Sequence, residues 1–490
     1  MANRQTMEDM DQPLFTIVRR GESISTMCLE IQKMEKPHNK SEGFLANLEC
    51  FAPVPSSDPS RPILERHCVD AFKNHRYVSV SYTWKPSEFE NMSSPNDSEL
   101  LYYVQSRDGV KVFPSPVRSQ VFTRTIKYMH YECVRLLWID KHSIKQCERR
   151  YSEEKKDGLE SMDRVYAFSD YPLALLWRQV RSERELALLA RLLRGHLVKD
   201  RLGGEVTDIR RGRRHRSQLS EATSRGDAWE VLQLVADILR DDWWLRAWTY
   251  QEAYCGGAKM NLLLPHEPSL EVQKRGWGEF RRIPGELCIR FRTLTEQITK
   301  LCLAFQHQTK EEEVTVEQIL RKAGKYTVLL KDSESMTRSI ISDVALRGIS
   351  EPMDRLPVIG NCCGYSRRLD VELLQESSLS VSLATLTMCL INGEILDNRK
   401  EEGRCVVSAL SVGRFLERYL FRGFHAPEPE SHRKLSFYKS YRFSGVRLTR
   451  EGVQTKGHLW TLGKVIDTSR ISRGGSMAWW TIFTAAGTRT

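Results

Sequence analysis

Glu252 closes the segment WWLRAWTYQE (Trp243–Glu252), four residues after Trp248 and eight after Trp244. On one continuous helix those three positions drift by only about 80° over two turns, so the carboxyl stands at the end of an aromatic ridge. Apolar rings beside a carboxyl hold it toward its neutral form, which suits acid or hydrogen-bonding work. The spacing equally admits a plainer arrangement, with the two Trp in the core and Glu252 paired with Arg246 or another surface cation. Asp140 ends the run LLWID inside Leu136–Gln146, and Ser81, Tyr82 and Trp84 end YVSVSYTW at Tyr77–Trp84. In an open parallel sheet, ligands bind beyond the carboxyl ends of the strands. There Asp140 can hold a ribose hydroxyl, cap the next helix or brace a loop. Ser81 and Tyr82 reach the same edge, and Trp84 either stacks on a flat base or is buried. His142 has no nucleophile placed beside it and reads as structural. GxSxG, Walker and HExxH motifs do not occur.

Strands and helices must bring these blocks together. Arg76–Tyr82 alternates β-branched and aromatic residues with Ser and reads as a central strand. Val117–Val134 has helical spacing and leads into a second strand, Arg135–Asp140. A helix over Glu153–Phe168, a strand at Leu173–Trp177, and helices at Arg181–Arg194, Ala228–Leu239 and Trp243–Glu252 follow. Strands alternating with helices imply a parallel sheet covered on both faces. Beyond about residue 260 helical patterns dominate (Glu296–Phe305, Val316–Leu330, Ser378–Ile391), and from Pro427 the spacing is strand-like. The organisation expected is an N-terminal segment over 1–70, an α/β domain over 71–260, a mostly helical region over 275–425, and an irregular or strand-rich tail over 426–490.

A chain of 490 residues exceeds one ordinary core, and 40% apolar with 28% charged residues excludes a disordered chain. No apolar run approaches the roughly 20 residues of a membrane span, and the N-terminus lacks a secretory pattern. Twelve Cys without a CxxC pair read as reduced thiols, so no metal is expected. The net charge of +11 draws on the cluster Ile209–Arg216 (IRRGRRHR) in a basic loop over 199–226. That cluster reads as a solvated loop, with nuclear import or phosphate binding as alternatives. Without interleaved aromatics or a reading motif, a nucleic-acid partner is not expected.

The ordered blocks resemble the heterokaryon-incompatibility (HET) domain of filamentous fungi. Its motifs run Tyr-x-x-x-Ser-Tyr-x-Trp-Gly, then Trp-Ile-Asp ending in Cys-Ile-x-Gln, then Met-x-x-Ile-Tyr, then Arg-x-Trp-Thr-x-Gln-Glu. They are met here by Tyr77, Ser81, Tyr82 and Trp84; by Trp138, Ile139, Asp140, Ile144 and Gln146; by Met162, Val165 and Tyr166; and by Arg246, Trp248, Thr249, Gln251 and Glu252. Asp354–Asp370 and the stretch after it also resemble the C-terminal part of some fungal HET proteins. Lys85 stands where the family has Gly, Ser143 where it has Cys, and Lys145 where Asn or Asp is common. A Gly-to-Lys change matters if the turn needs a positive φ, and it places a cation at the ligand edge.

The resemblance implies an α/β, parallel-sheet HET domain, similar to Toll/interleukin-receptor and flavodoxin-like folds, followed by the mostly helical C-terminal region. It implies a role in fungal non-self recognition and programmed cell death. Some Toll/interleukin-receptor domains cleave NAD⁺ with one Glu four residues after a Trp, a spacing that Trp248 and Glu252 reproduce. By that analogy Glu252 is catalytic, and Ser81, Tyr82, Trp84, Asp140 and Trp248 hold NAD⁺ as a substrate, with no permanently bound cofactor. The alternatives are a non-catalytic assembly module and a diverged, inactive paralog. Protein partners or self-association, and a cytoplasmic location, are expected.

Overall fold

The computed structural model describes residues 9–18, 22–37, 42–54, 61–90, 101–146, 153–199, 218–324, 336–396, 407–420 and 442–456. The basic cluster at 209–216 and the tail beyond 456 lie outside these. Among the described residues, no helix is long and apolar enough to cross a membrane.

Nine strands build the central sheet: β1 (Leu48–Val54), β2 (Ile63–Val69), β3 (Tyr77–Ser81), β4 (Tyr103–Gln105), β5 (Val112–Pro114), β6 (Leu136–Trp138), β7 (Tyr171–Leu175), β8 (Asn261–Pro265) and β9 (Glu286–Arg290). Their order is β9-β8-β7-β3-β6-β1-β2-β4-β5. The four at the centre, β8, β7, β3 and β6, run parallel, while β9 and β1 flank them antiparallel. From β3 the chain crosses to β6 on one side, then returns to β7 on the other. The winding direction therefore reverses between β3 and β7.

Alternation assigns the two faces. Tyr77, Trp138, Ala174 and Leu262 share one apolar cluster; Val78, Val80, Leu137, Leu173 and Leu263 share another. Both faces must be covered, because each fully buried aliphatic side chain is worth roughly 1.5–3 kcal/mol. Helix α1 (Ser119–Tyr131) covers the second face with Val121, Phe122, Tyr128 and Met129. The first face carries α2 (Glu153–Phe168), α3 (Glu183–Leu193) and α4 (Arg225–Ile238), the last two N-capped by Ser182 and Ser224.

Helix α5 (Ala247–Gly256) ends at Gly257, whose φ of 55° is in the left-handed region glycine tolerates. Beyond it, α6 (Phe291–Ala304) and α7 (Lys310–Ala323) still pack on the first face. Further on, α8 (Thr337–Ala345), α9 (Arg355–Cys362) and α10 (Val381–Ile391) form another core, into which the N-terminal helix Ile24–Gln32 inserts Met27 and Ile31.

Three of the nine sheet strands, β3, β6 and β7, and most of the expected helices lie within a few residues of their expected positions. Strands β1, β2, β4, β5, β8 and β9 were not expected, because runs of three to seven residues are too short for periodicity to separate strand from helix. The expected continuous helix over Trp243–Glu252 is broken. Asp242–Leu245 forms a 3₁₀ turn capped by Asp241, Arg246 is extended (φ −97°, ψ 141°), and α5 starts at Ala247. The break is held from outside, since Gly348 N–H donates to Leu245 O (2.7 Å) and Ala247 N–H to Gly348 O (3.0 Å).

Candidate functional site

The break decides which ring meets which carboxyl. Trp244 does not continue the α5 ridge; it stacks on Phe291 instead. Trp243 turns inward and donates its Nε1–H to Ser81 Oγ at 2.7 Å. Ser81 is the last residue of β3 and fully buried. Thr249 secures the corner by donating to Trp243 O and, at 3.0 Å, to Arg246 O. Helix α5 thus presents Glu252 to the carboxyl end of β3.

Glu252 is 6% exposed, and its Oε2 has no hydrogen-bond partner. Burial pushes its carboxyl up to about 8, with Asp140 adding to the rise. Ser81, Arg246 and Tyr166, which face it, pull the other way but do not win. Tyr166 comes from the last turn of α2 and donates to Val80 O at 2.9 Å. The plainer arrangement, a surface ion pair with Arg246, is excluded by this burial. Burial therefore favours the protonated form of Glu252 near neutral pH.

Asp140 begins a short helix, Asp140–Ser143, directly after β6. Its carboxyl accepts Lys141 N–H (2.6 Å) and Trp84 Nε1–H (2.7 Å). Burial raises its pKa, opposed by the bonds from Trp84, Lys141 and Tyr82. Asp140 therefore braces a loop: it ties the end of β6 to the end of β3. Of the two arrangements open to it, Trp84 is not the buried one: it is 43% exposed, with Lys141 Nζ 4.0 Å from its ring centroid. Trp84→Phe keeps the ring and removes the staple; we expect a loss of about 1 kcal/mol in urea unfolding at pH 7.

Of the residues expected at the site, Ser81, Tyr82, Trp84, Asp140 and Glu252 gather at this edge. Trp248 lies one turn before Glu252, half-buried against both the sheet core and the C-terminal core. Lys85 is exposed and has no positive φ, so the turn after Trp84 needs no glycine. Ser143 is buried, and its Oγ accepts Ile139 N–H at 3.3 Å. His142 is structural: its Nε2 lies 2.7 Å from Ser115 Oγ, and burial pushes its pKa down to about 4, with Arg66 and Lys141 adding to the fall.

Two contributors were not singled out as site residues. Tyr166 carried a signal as the last motif residue of α2, but nothing in its spacing shows that it reaches across β3. The other is the C-terminal region's hold on α5. Asn361 donates to Gln251 Oε1 (3.3 Å) and to Leu159 O (3.1 Å), and accepts from Arg368 Nη2 (3.0 Å). Gly360 permits this packing, since a Cβ there would lie 1.6 Å from Arg368 Nη1. The residue before Glu252 is thereby bolted to α9.

No group of three or more His, Cys, Asp or Glu among the described residues is arranged to hold a metal. No curated protein and no solved structure matches the chain. Residues 77–252, from the first residue of β3 to Glu252, match the family model described as Heterokaryon incompatibility protein (HET).

Proposed function

We propose that this heterokaryon incompatibility (HET) domain protein is an effector of fungal non-self recognition and programmed cell death, and that it acts by cleaving NAD⁺ at Glu252. The observation that carries the catalytic part is the buried Glu252 carboxyl, with one oxygen unpartnered, at the end of β3. Groups poised by burial at a strand edge are where functional sites concentrate. Numbered by chain order among themselves, the parallel strands run 2-1-3-4, the beginning of the flavodoxin-like order. That order supports the likeness to Toll/interleukin-receptor domains, which is part of this reading.

Hydrolysis breaks the bond from ribose C1′ to the pyridinium nitrogen, and the electron pair leaves with neutral nicotinamide. Water adds to C1′ and releases one proton. A pyridinium cation beside Glu252 favours the ionised carboxylate, so ligand binding lowers a pKa that burial has raised. The carboxylate then stabilises the oxocarbenium-like state and takes the proton from water. Asp140 and Trp84 frame the ligand edge, and Trp248 backs the helix that carries Glu252. The protein works in the cytoplasm and through self-association or a protein partner.

The test is induced expression of the full chain in a fungal host, with NAD⁺ and viability followed for wild type and Glu252→Ala. NAD⁺ is expected to fall before death, and the variant to deplete it about 10²–10³-fold more slowly. Death with NAD⁺ unchanged rejects catalysis and leaves an assembly module.

A further inference from the structure

The cysteines of the described residues are all free thiols, yet two of them, from separate cores, stand against each other behind Glu252. Cys255 lies on α5, three residues after Glu252, half-buried against the sheet core. Cys362 is the last residue of α9 and 7% exposed in the C-terminal core. The two thiols hydrogen-bond each other. The surrounding backbone sets up that meeting independently. Helix α9 packs on both α5 and α2, and α5 packs on α2. Asn361, the residue before Cys362, bonds Gln251 on α5 and Leu159 on α2. Residues four apart on a helix share a face. Cys255 therefore follows Gln251 on the face of α5 turned to α9, and Asp163 follows Leu159 on α2. Both Cys255 and Asp163 bear on Cys362, as this arrangement requires.

The two thiols are not equivalent. Burial holds the Cys362 thiol well above its ordinary pKa, with Cys255 adding to the rise, so Cys362 stays protonated and does not start an exchange. Cys255 is the one that solvent reaches. The neighbouring Cys363 is engaged elsewhere, beside Thr337, Tyr365 and Glu394, and adjacent cysteines do not form an ordinary disulfide. A metal is not the occupant, since no group of three or more His, Cys, Asp or Glu among the described residues is arranged to hold one. What remains is a half-exposed thiol with a buried resolving thiol in contact, the usual layout of a redox-responsive pair.

We propose that Cys255 and Cys362 are a dithiol modification site, oxidised to a disulfide by a low-molecular-weight disulfide such as glutathione disulfide, and that the new bond locks α5 to the C-terminal core. The Cys255 thiolate attacks one sulfur of glutathione disulfide, whose S–S bond breaks and releases one glutathione. Cys362 then attacks the Cys255 sulfur of the mixed disulfide and expels the second glutathione. Two protein thiols are oxidised, one small disulfide is reduced to two thiols, and both protons end on the released glutathione. The hydrogen bonds from Gly348 and Asn361 already hold the start and the middle of α5 to the C-terminal region. The disulfide adds a covalent hold at its end, and closes a loop of about a hundred residues.

The test treats the reduced full chain with glutathione disulfide, maps the products by mass spectrometry of a non-reducing digest, and follows thermal unfolding before and after dithiothreitol. A peptide pair joined through Cys255 and Cys362 is expected, with a Tm raised by about 5 °C or more that dithiothreitol reverses. Cys255→Ser changes a half-exposed side chain by one atom, and should leave the reduced Tm near wild type while abolishing both the joined pair and the rise. Cys362→Ala should stop the reaction at the mixed disulfide on Cys255. Cys255 recovered in wild type only as that mixed disulfide, or Cys362 joined to Cys363, overturns the pairing. A joined pair with no rise in Tm overturns the lock. No turnover is read, so failure of NAD⁺ cleavage at Glu252 leaves the result untouched.

Discussion

Glu252→Gln is expected to make the protein more stable at alkaline pH while leaving its stability at pH 4 nearly unchanged. The folded-state pKa of Glu252, about 8, lies above the ordinary value of 4.5. Below 4.5 the carboxyl is neutral whether the chain is folded or not, so it costs nothing. Between 4.5 and about 8 the unfolded chain releases this proton and the folded one keeps it. Stability then falls with rising pH by up to about 1.4 kcal/mol per unit and levels off above pH 8, a total near 5 kcal/mol. Asp140, whose pKa is also raised by burial, adds a slope of the same sign above 3.8. Glutamine cannot ionise, so the variant loses the Glu252 share of the slope. Urea unfolding of both proteins from pH 4 to pH 9 measures it; parallel curves would show that Glu252 ionises freely. A stabilised variant that no longer depletes NAD⁺ would also separate lost chemistry from lost folding.

Glu286→Ala is expected to destabilise the protein by about 3–5 kcal/mol, a large share of the total for an ordinary domain. Arg124 on α1 is 7% exposed and grips Glu286 on β9 through Nε–Oε1 (2.6 Å) and Nη2–Oε2 (2.8 Å). Its remaining reach goes to the carbonyls of Leu176 (2.7 Å) and Leu263 (3.0 Å). One guanidinium therefore ties the helix on the second face to three strand regions. Removing Glu286 leaves a buried charge without its counter-ion, which costs more than the intact pair contributes. The double variant Arg124→Met with Glu286→Leu should recover most of the loss. If urea unfolding at pH 7 finds the double variant no better than the single, the cost lies in packing instead.

Legibility in the sequence followed element length and the range of the contacts involved. The helix over Glu153–Phe168 was legible to the residue, and β3, β6 and β7 to within two or three, because their apolar spacing is local information. The edge that gathers Ser81, Tyr82, Trp84, Asp140 and Glu252 was legible because strand ends in a parallel sheet converge whatever the loops do. The helix break at Arg246 was not. Its cause is a pair of hydrogen bonds from Gly348, about a hundred residues away along the chain.

The sequence by itself determined that this chain builds an α/β sheet, which blocks reach its edge, and which family they resemble. Each of those rests on periodicity and motif order, which are written locally. Only the tertiary structure decided that Glu252 is an internal acid and not a surface ion-pair partner, and that Trp84 is a staple and not core. It alone shows α5 wedged between two cores. The reason is physical: burial and pKa are properties of what surrounds a side chain, and those neighbours come from segments far apart in the chain.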